Sequence, residues 1–218
     1  MCGIAGIVKL HGRVVDPGQL TEMIAALAHR GPDGQGIYAD NGAGLAHRRL
    51  SVIDLEGGHQ PMSISDGKLW ITFNGEIFNY VELRDELIKN GHTFRTRSDT
   101  EVILHLYQDE GEKCVERLNG QWAFAIWDAT RQKLFLARDR MGVRPLFYTQ
   151  TTDSFLFASE IKALFAHPGV QREIDLQALD QIFTYWSTLS PRTAFRGISD
   201  VPPGHYLLAR QGKLQVRP

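Results

Sequence analysis

Cys2 stands directly after the initiator methionine of a 218-residue chain. A small residue at position 2 lets methionine removal proceed, so Cys2 is expected to become the amino terminus. One residue then carries a thiol and a free α-amine. Their ordinary pKa values, about 8.5 and about 7.7–8.0, leave part of the amine neutral at physiological pH. That amine can take the proton of the thiol and later return it to a leaving group. Nucleophile and base then sit on one residue. The run that follows, GIAGIV, is apolar through Ile4, Ile7 and Val8. It predicts a buried strand, and a nucleophile on a core strand is held in place where one on a frayed tail is not.

Other residues with chemistry in them are scattered along the chain. Asn74-Gly75-Glu76 follows the strand-like KLWITFN, and Asn-Gly is a strong tight-turn signal. Arg48 and Arg49 are neighbours in a predicted strand, so only one of them can point inward. Asp99 precedes a helical pattern and reads as its N-cap. His47 reads as a hydrogen-bonded structural histidine, and Cys114 as a packed core thiol. No histidines share a spacing with cysteines or carboxylates that suggests a metal site. Neither a phosphate-binding GxxxxGK[ST] loop nor a GxGxxG opening a helix occurs.

The elements that position these residues are mostly strands. Residues 3–9, 43–48 and 68–74 read as strands. Residues 122–128 and 133–138 flank a short polar loop, a hairpin signature. Further hairpins are predicted over 147–149 with 155–159, and over 205–210 with 213–216 around Gln211-Gly212. Helices are expected after Asp16-Pro17, after Asn79 with Gly91 as the stop, after Asp99, and over 160–165 and 175–185. Antiparallel strands with helices grouped between them give an α+β layered fold.

Composition narrows the function. Lys+Arg is 24 against Asp+Glu 25, a formal net charge of −1, which disfavours nucleic acid or an anionic membrane as the main partner. Two cysteines build no disulfide framework and fit a reducing compartment. No apolar run approaches the roughly 20 residues that cross a bilayer, and the first residues lack the pattern of a signal peptide. A soluble, cytoplasmic domain is expected.

Eight blocks follow one another in order: MCGIAGIV, HRGPDGQG, HRRLSVIDLEGGHQPM, FNGEIFNY, SDTEVILHLY, LNGQWAFAIWD, ARDRMGVRPLFY and FASEIKAL. Together they resemble the class II glutamine amidotransferase domain of glutamine-hydrolysing asparagine synthetases. The resemblance covers about residues 2–210, leaving 211–218 as the end of the last hairpin and the start of a connection. It implies a four-layer αββα N-terminal-nucleophile hydrolase sandwich of two antiparallel sheets. It implies hydrolysis of L-glutamine to glutamate and ammonia through a thioester on Cys2. Asn74 and Gly75 would form the oxyanion hole. Arg49 would bind the substrate α-carboxylate, and Glu76 and Asp99 its α-ammonium. Leu50, Ser51, Val52 and Ile53 would line the same pocket through backbone groups. Residues 29–33 would fold over the bound glutamine.

The resemblance further implies a partner, an ATP-dependent synthetase domain, covalent or separate. ATP and Mg2+ are expected only there, and no cofactor or metal in this part. The pyrophosphate-binding SGGxDS of that domain is absent, so the chain reads as an excised or truncated N-terminal domain. A homodimer is compatible with this. Three alternatives stay open: a related amidotransferase with another ammonia acceptor, a synthetase relative that makes a different amide, and a catalytically idle docking or regulatory module.

Overall fold

The computed structural model describes residues 1–10, 14–64, 67–210 and 212–218. Gln211, expected in the last turn, lies outside the described residues. Among the described residues, twelve strands form two six-stranded sheets, and every named pair is antiparallel. The first sheet has the order β10 (Ile198–Asp200), β8 (Phe147–Gln150), β9 (Ser154–Ala158), β1 (Gly3–Lys9), β3 (Ala43–Arg49) and β2 (Gly34–Ala39). The second has the order β12 (Lys213–Arg217), β11 (Tyr206–Arg210), β7 (Lys133–Arg138), β6 (Gly120–Asp128), β5 (Leu69–Ile77) and β4 (Met62–Ile64). The predicted hairpins are present as β6–β7, β8–β9 and β11–β12.

Period-2 alternation divides the side chains among three apolar layers. On β1, Ile4 and Val8 face the second sheet, while Ala5 and Ile7 face α1 (Pro17–Ala25). On β6, Ala123, Ala125 and Trp127 enter the layer between the sheets. Trp122, Phe124 and Ile126 turn to the other side, against α3 (Asp99–Glu110) and α2 (Tyr80–Lys89). The layers are therefore helix, sheet, sheet, helix, the αββα sandwich that the resemblance implies. The remaining α-helices are α4 (Cys114–Arg117), α5 (Ile161–Leu164) and α6 (Leu176–Tyr185).

Local signals account for the helix starts, with two corrections. Asp16 caps α1, its Oδ1 accepting from Gly18 N at 2.9 Å, with Pro17 first in the helix. α3 is capped by Ser98, whose Oγ accepts from Thr100 N at 3.2 Å; Asp99 is already helical. Asn79 precedes α2 without capping it. Its amide instead bridges Arg117 O at 3.0 Å and Asn119 N at 3.0 Å. The Asn-Gly turn also gives way: Asn74 and Gly75 lie inside β5, paired with Ala123 and Trp122.

Gly6 marks the tightest point on β1, because a Cβ there would collide with the ring of Phe157 and lie 2.7 Å from Gly44 O. Gly6→Ala is expected to cost about 1–3 kcal/mol of stability through overpacking. Thermal unfolding checks this, and the same change should loosen the strand that carries Cys2.

Candidate active site

β1 is a central strand, flanked by β3 and β9, and Cys2 sits at its head. Two residues on, Ile4 is locked through both backbone groups: its N–H donates to Ser159 Oγ at 3.0 Å, and its carbonyl accepts from Ser159 N at 2.9 Å. Arg30 is 8% exposed and donates through Nε to the Cys2 carbonyl at 2.8 Å. Its Nη1 is held in turn by Glu160 at 2.9 Å. The Cys2 Sγ accepts from Leu50 N at 3.4 Å. Burial pushes the thiol above its ordinary value, opposed by the Leu50 N–H, the amino terminus, Arg49 and Arg144.

Cys2 faces a cleft whose other wall is β5, with Phe73, Asn74, Gly75 and Glu76. Asn74 is 1% exposed, and its Nδ2 has no hydrogen-bond partner among the described residues. A buried amide donor without an acceptor is costly, and such orphans are rare. Glycine is required at 75, since a Cβ there would collide with Gln121 O and lie 2.6 Å from Trp122 Cα.

The cleft floor is the first turn of α3, with Ser98, Asp99 and Thr100. Asp99 is 3% exposed and accepts from Ile77 N at 3.1 Å and Ser98 Oγ at 3.4 Å. Burial pushes its carboxyl up to about 6, against these hydrogen bonds. No cation pairs with it among the described residues. A buried acid without a counter-charge is a place for a cationic ligand.

The third wall is the segment after β3. Arg49 is 7% exposed, and its guanidinium holds this segment through Leu55 O at 2.9 Å and Asp54 O at 2.6 Å. Arg48 points the other way and donates to Ile24 O at 3.1 Å, as strand alternation requires. Gln60 stitches two walls together: its Oε1 accepts from Phe73 N at 2.6 Å, and its Nε2 donates to Thr100 Oγ1 at 3.2 Å.

The cleft thus brings together Cys2, Arg49, Leu50, Val52, Ile53, Asn74, Gly75, Glu76 and Asp99. Ser51 is the exception among the expected residues. It does not line the cleft, and its N–H is taken by Asp33 Oδ2 at 2.8 Å. None of residues 29–33 lines the cleft; Arg30 and Asp33 hold its border, on the Cys2 carbonyl and the Ser51 N–H. Gln60, Thr100 and Arg144 line the cleft without having been singled out in the sequence, although all three lie in matching blocks. His47 is fully buried on the Thr72 hydroxyl at 3.1 Å, and burial, with Arg49 nearby, pushes it down to about 3. It stays neutral and outside the cleft, a structural histidine. Cys114 is fully buried, and burial raises its thiol far above the ordinary range.

The family model described as a glutamine amidotransferase domain matches residues 1–218. Asparagine synthetase [glutamine-hydrolyzing] 3 of Bacillus subtilis (strain 168) is 43% identical over 220 residues, covering 99% of this chain and 36% of that protein. Amidase chyE of Penicillium rubens is 36% identical over 225 residues, covering 96% of this chain and 32% of that one. The chain spans about a third of the length of these curated relatives. Among solved structures, glutamine phosphoribosylpyrophosphate amidotransferase from B. subtilis shares the fold, with a TM-score of 0.69 at 24% identity over 99% of this chain and 49% of that one. A structure titled as the allosteric regulatory enzyme of purine biosynthesis gives a TM-score of 0.72 at 24% identity, over 99% and 48% of the two chains. With the match running the full length and the thiol, amide and acid gathered in one cleft, the chain belongs to the glutamine amidotransferase domain family.

Proposed function

We propose that this chain hydrolyses L-glutamine to glutamate and ammonia, and that the ammonia serves ATP-dependent asparagine synthesis from aspartate in a longer enzyme. The observation that carries this reading is the pairing of Cys2 with the unpartnered amide of Asn74 across one cleft. Once Met1 is removed, the Cys2 thiol attacks the side-chain carboxamide carbon and forms a C–S bond. The negative charge that develops on the carbonyl oxygen falls to Asn74 Nδ2 and the Gly75 N–H. Donors fixed in a strand need no reorganisation at that moment. The Cys2 α-amine carries the thiol proton to the nitrogen, the C–N bond breaks, and ammonia leaves. Water then cleaves the thioester, giving glutamate and the free thiol.

The amino-acid end of the substrate supplies the missing charges. Its α-ammonium fits the uncompensated Asp99 carboxylate, with Glu76 beside it, and Arg49 meets its α-carboxylate. Leu50, Val52 and Ile53 border this pocket. No cofactor takes part in these steps; ATP and Mg2+ belong to the acceptor chemistry elsewhere in the longer enzyme. Covalent labelling by a glutamine-mimicking diazoketone tests the reading. Mass spectrometry is expected to find one adduct, on the N-terminal peptide with Met1 absent. A folded protein without that adduct is an idle module.

Asp99 gives the pocket a pH dependence. Its carboxyl, held at about 6, is charged above that pH and neutral below it. The attraction for the α-ammonium is therefore present above about 6 and fades as the pH falls. The KM for glutamine is expected to rise on the acid side, measured between about pH 5 and pH 8. Asp99→Asn should raise KM by about tenfold to a hundredfold and flatten that limb. A parental profile in the variant removes Asp99 from the pocket.

A further inference from the structure

α6 is amphipathic, yet its apolar side faces solvent. Leu176, Leu179 and Phe183 fall at the i, i+3, i+7 spacing of one helix face. Trp186 follows in a left-handed conformation that ends the helix. Phe183 is 81% exposed and Trp186 is 93% exposed. Ala178 is the buried residue of α6. The excursion over residues 171–197 is held mainly at its ends, where Phe195 packs edge-on against Phe165 with centroids 4.9 Å apart. Asp175 caps the helix and pairs with Arg192 at 3.2 Å, and Arg196 pairs with Glu173 at 2.7 Å. A ten-residue helix has little stability of its own in water. A monomer rarely leaves such a contiguous apolar surface bare, and exposed Trp and Phe anchors mark interfaces.

The chemistry of the helix narrows the occupant. Its polar residues are Gln177, Asp180, Gln181 and Thr184, and α6 contains no Lys or Arg. Helices that lie on membrane surfaces present cations there, so a protein surface fits better. The relative at 43% identity has nearly two thirds of its length outside the match, which covers 36% of it. α6 leads back to β10, an outer strand of the first sheet, while β12 is an outer strand of the second. These two edges share one flank: Arg138 of β7 reaches across the sheets to Asp200 of β10 at 3.2 Å and to Val201 O at 2.8 Å, while His47 of β3 meets Thr72 of β5 nearer the opposite edges. A chain continuing beyond β12 therefore starts on the flank that carries α6. A tethered partner also tolerates a greasy seat, because permanent interfaces are the more apolar ones.

We propose that the apolar face of α6, with Phe183 and Trp186 as its anchors, is the docking seat for the ATP-dependent synthetase part of the same enzyme. This rests on the reading that the chain supplies ammonia within a longer enzyme. Hydrogen exchange in the full-length gene product is expected to show residues 174–189 protected, and exposed in the chain that stops at Pro218. In the full-length protein, the F183D/W186D double variant should keep its parental glutaminase rate and its ammonia-supported synthesis. Glutamine-supported synthesis should fall about tenfold, the effect of losing interface anchors. Equal exchange in the long and short chains overturns the proposal, as does protection of α6 through dimerisation of the short chain. Parental glutamine-supported synthesis in the double variant overturns it too. Failure of the ammonia-supplying reading would look different: no adduct on Cys2, whatever the state of α6.

Discussion

Cys2→Ala should leave a folded protein that no longer hydrolyses glutamine. The rate is expected to fall at least about 10³-fold, because the thioester has no other route and the remaining oxyanion donors act on bulk water alone. Stability should hardly move. The Sγ makes one contact pair, with Leu50 N and O, at 3.4 and 3.5 Å. The ties that fix the head of β1 run through the Cys2 carbonyl and through Ile4, and both survive the change. Thermal unfolding and an ammonia-release assay on one preparation separate the two effects. A second arm uses protein that keeps Met1. Met1 itself lines the cleft, so its retention blocks the site and acylates the amine that should move the proton. Such protein is expected to be as inactive as Cys2→Ala. Parental ammonia release from either form would end the assignment of Cys2 as nucleophile.

The sequence carried this site further than it carried the frame around it. Cys2 was legible because the residue type, the position and the apolar run behind it all act locally. The inner strands were legible because Trp122, Phe124 and Ile126 alternate with Ala123, Ala125 and Trp127, and both sets are buried. The strands that went unseen were β2, β4 and β10, each at the edge of a sheet. An edge strand can be short and polar or rich in glycine, as GQGIYA and ISD are, since its partner on one side supplies the order. Asn74-Gly75 misled for a related reason. Its turn propensity is local, while the packing of Gln121 and Trp122 that demands glycine at 75 is tertiary. Ser98 and Asp99 are both good caps, and only the fold decides that Ser98 takes the cap and leaves the Asp99 carboxylate to the cleft. Gln60 was invisible because its role is to join Phe73 to Thr100, residues far from it in the chain.

Asn74→Ala separates catalysis from folding most sharply. In the resting protein the Asn74 Nδ2 donates to nothing among the described residues, so its removal breaks no hydrogen bond there. The variant loses a small buried group, at a cost of about 1–2 kcal/mol, and deletes a costly orphan donor, which offsets part of that. Its Tm should therefore fall by no more than a few degrees, at about 2–4 °C per kcal/mol for a chain of this size. The reaction should suffer far more. If Nδ2 is aimed at the oxygen that becomes negative, its loss costs about 2.7–4 kcal/mol of transition-state stabilisation, about 10²–10³ in kcat. KM should change little, because the neutral carbonyl of bound glutamine gains less from the donor than the oxyanion does. Asn74→Asp sharpens the test: it keeps the shape but places a second negative charge beside the oxyanion, so kcat should fall below that of the alanine variant. Steady-state kinetics and thermal unfolding on the two variants check this. A drop in Tm that accounts for the lost activity, or a KM effect in place of the kcat effect, would make Asn74 a structural residue and return its orphaned amide to an unexplained cost of the fold.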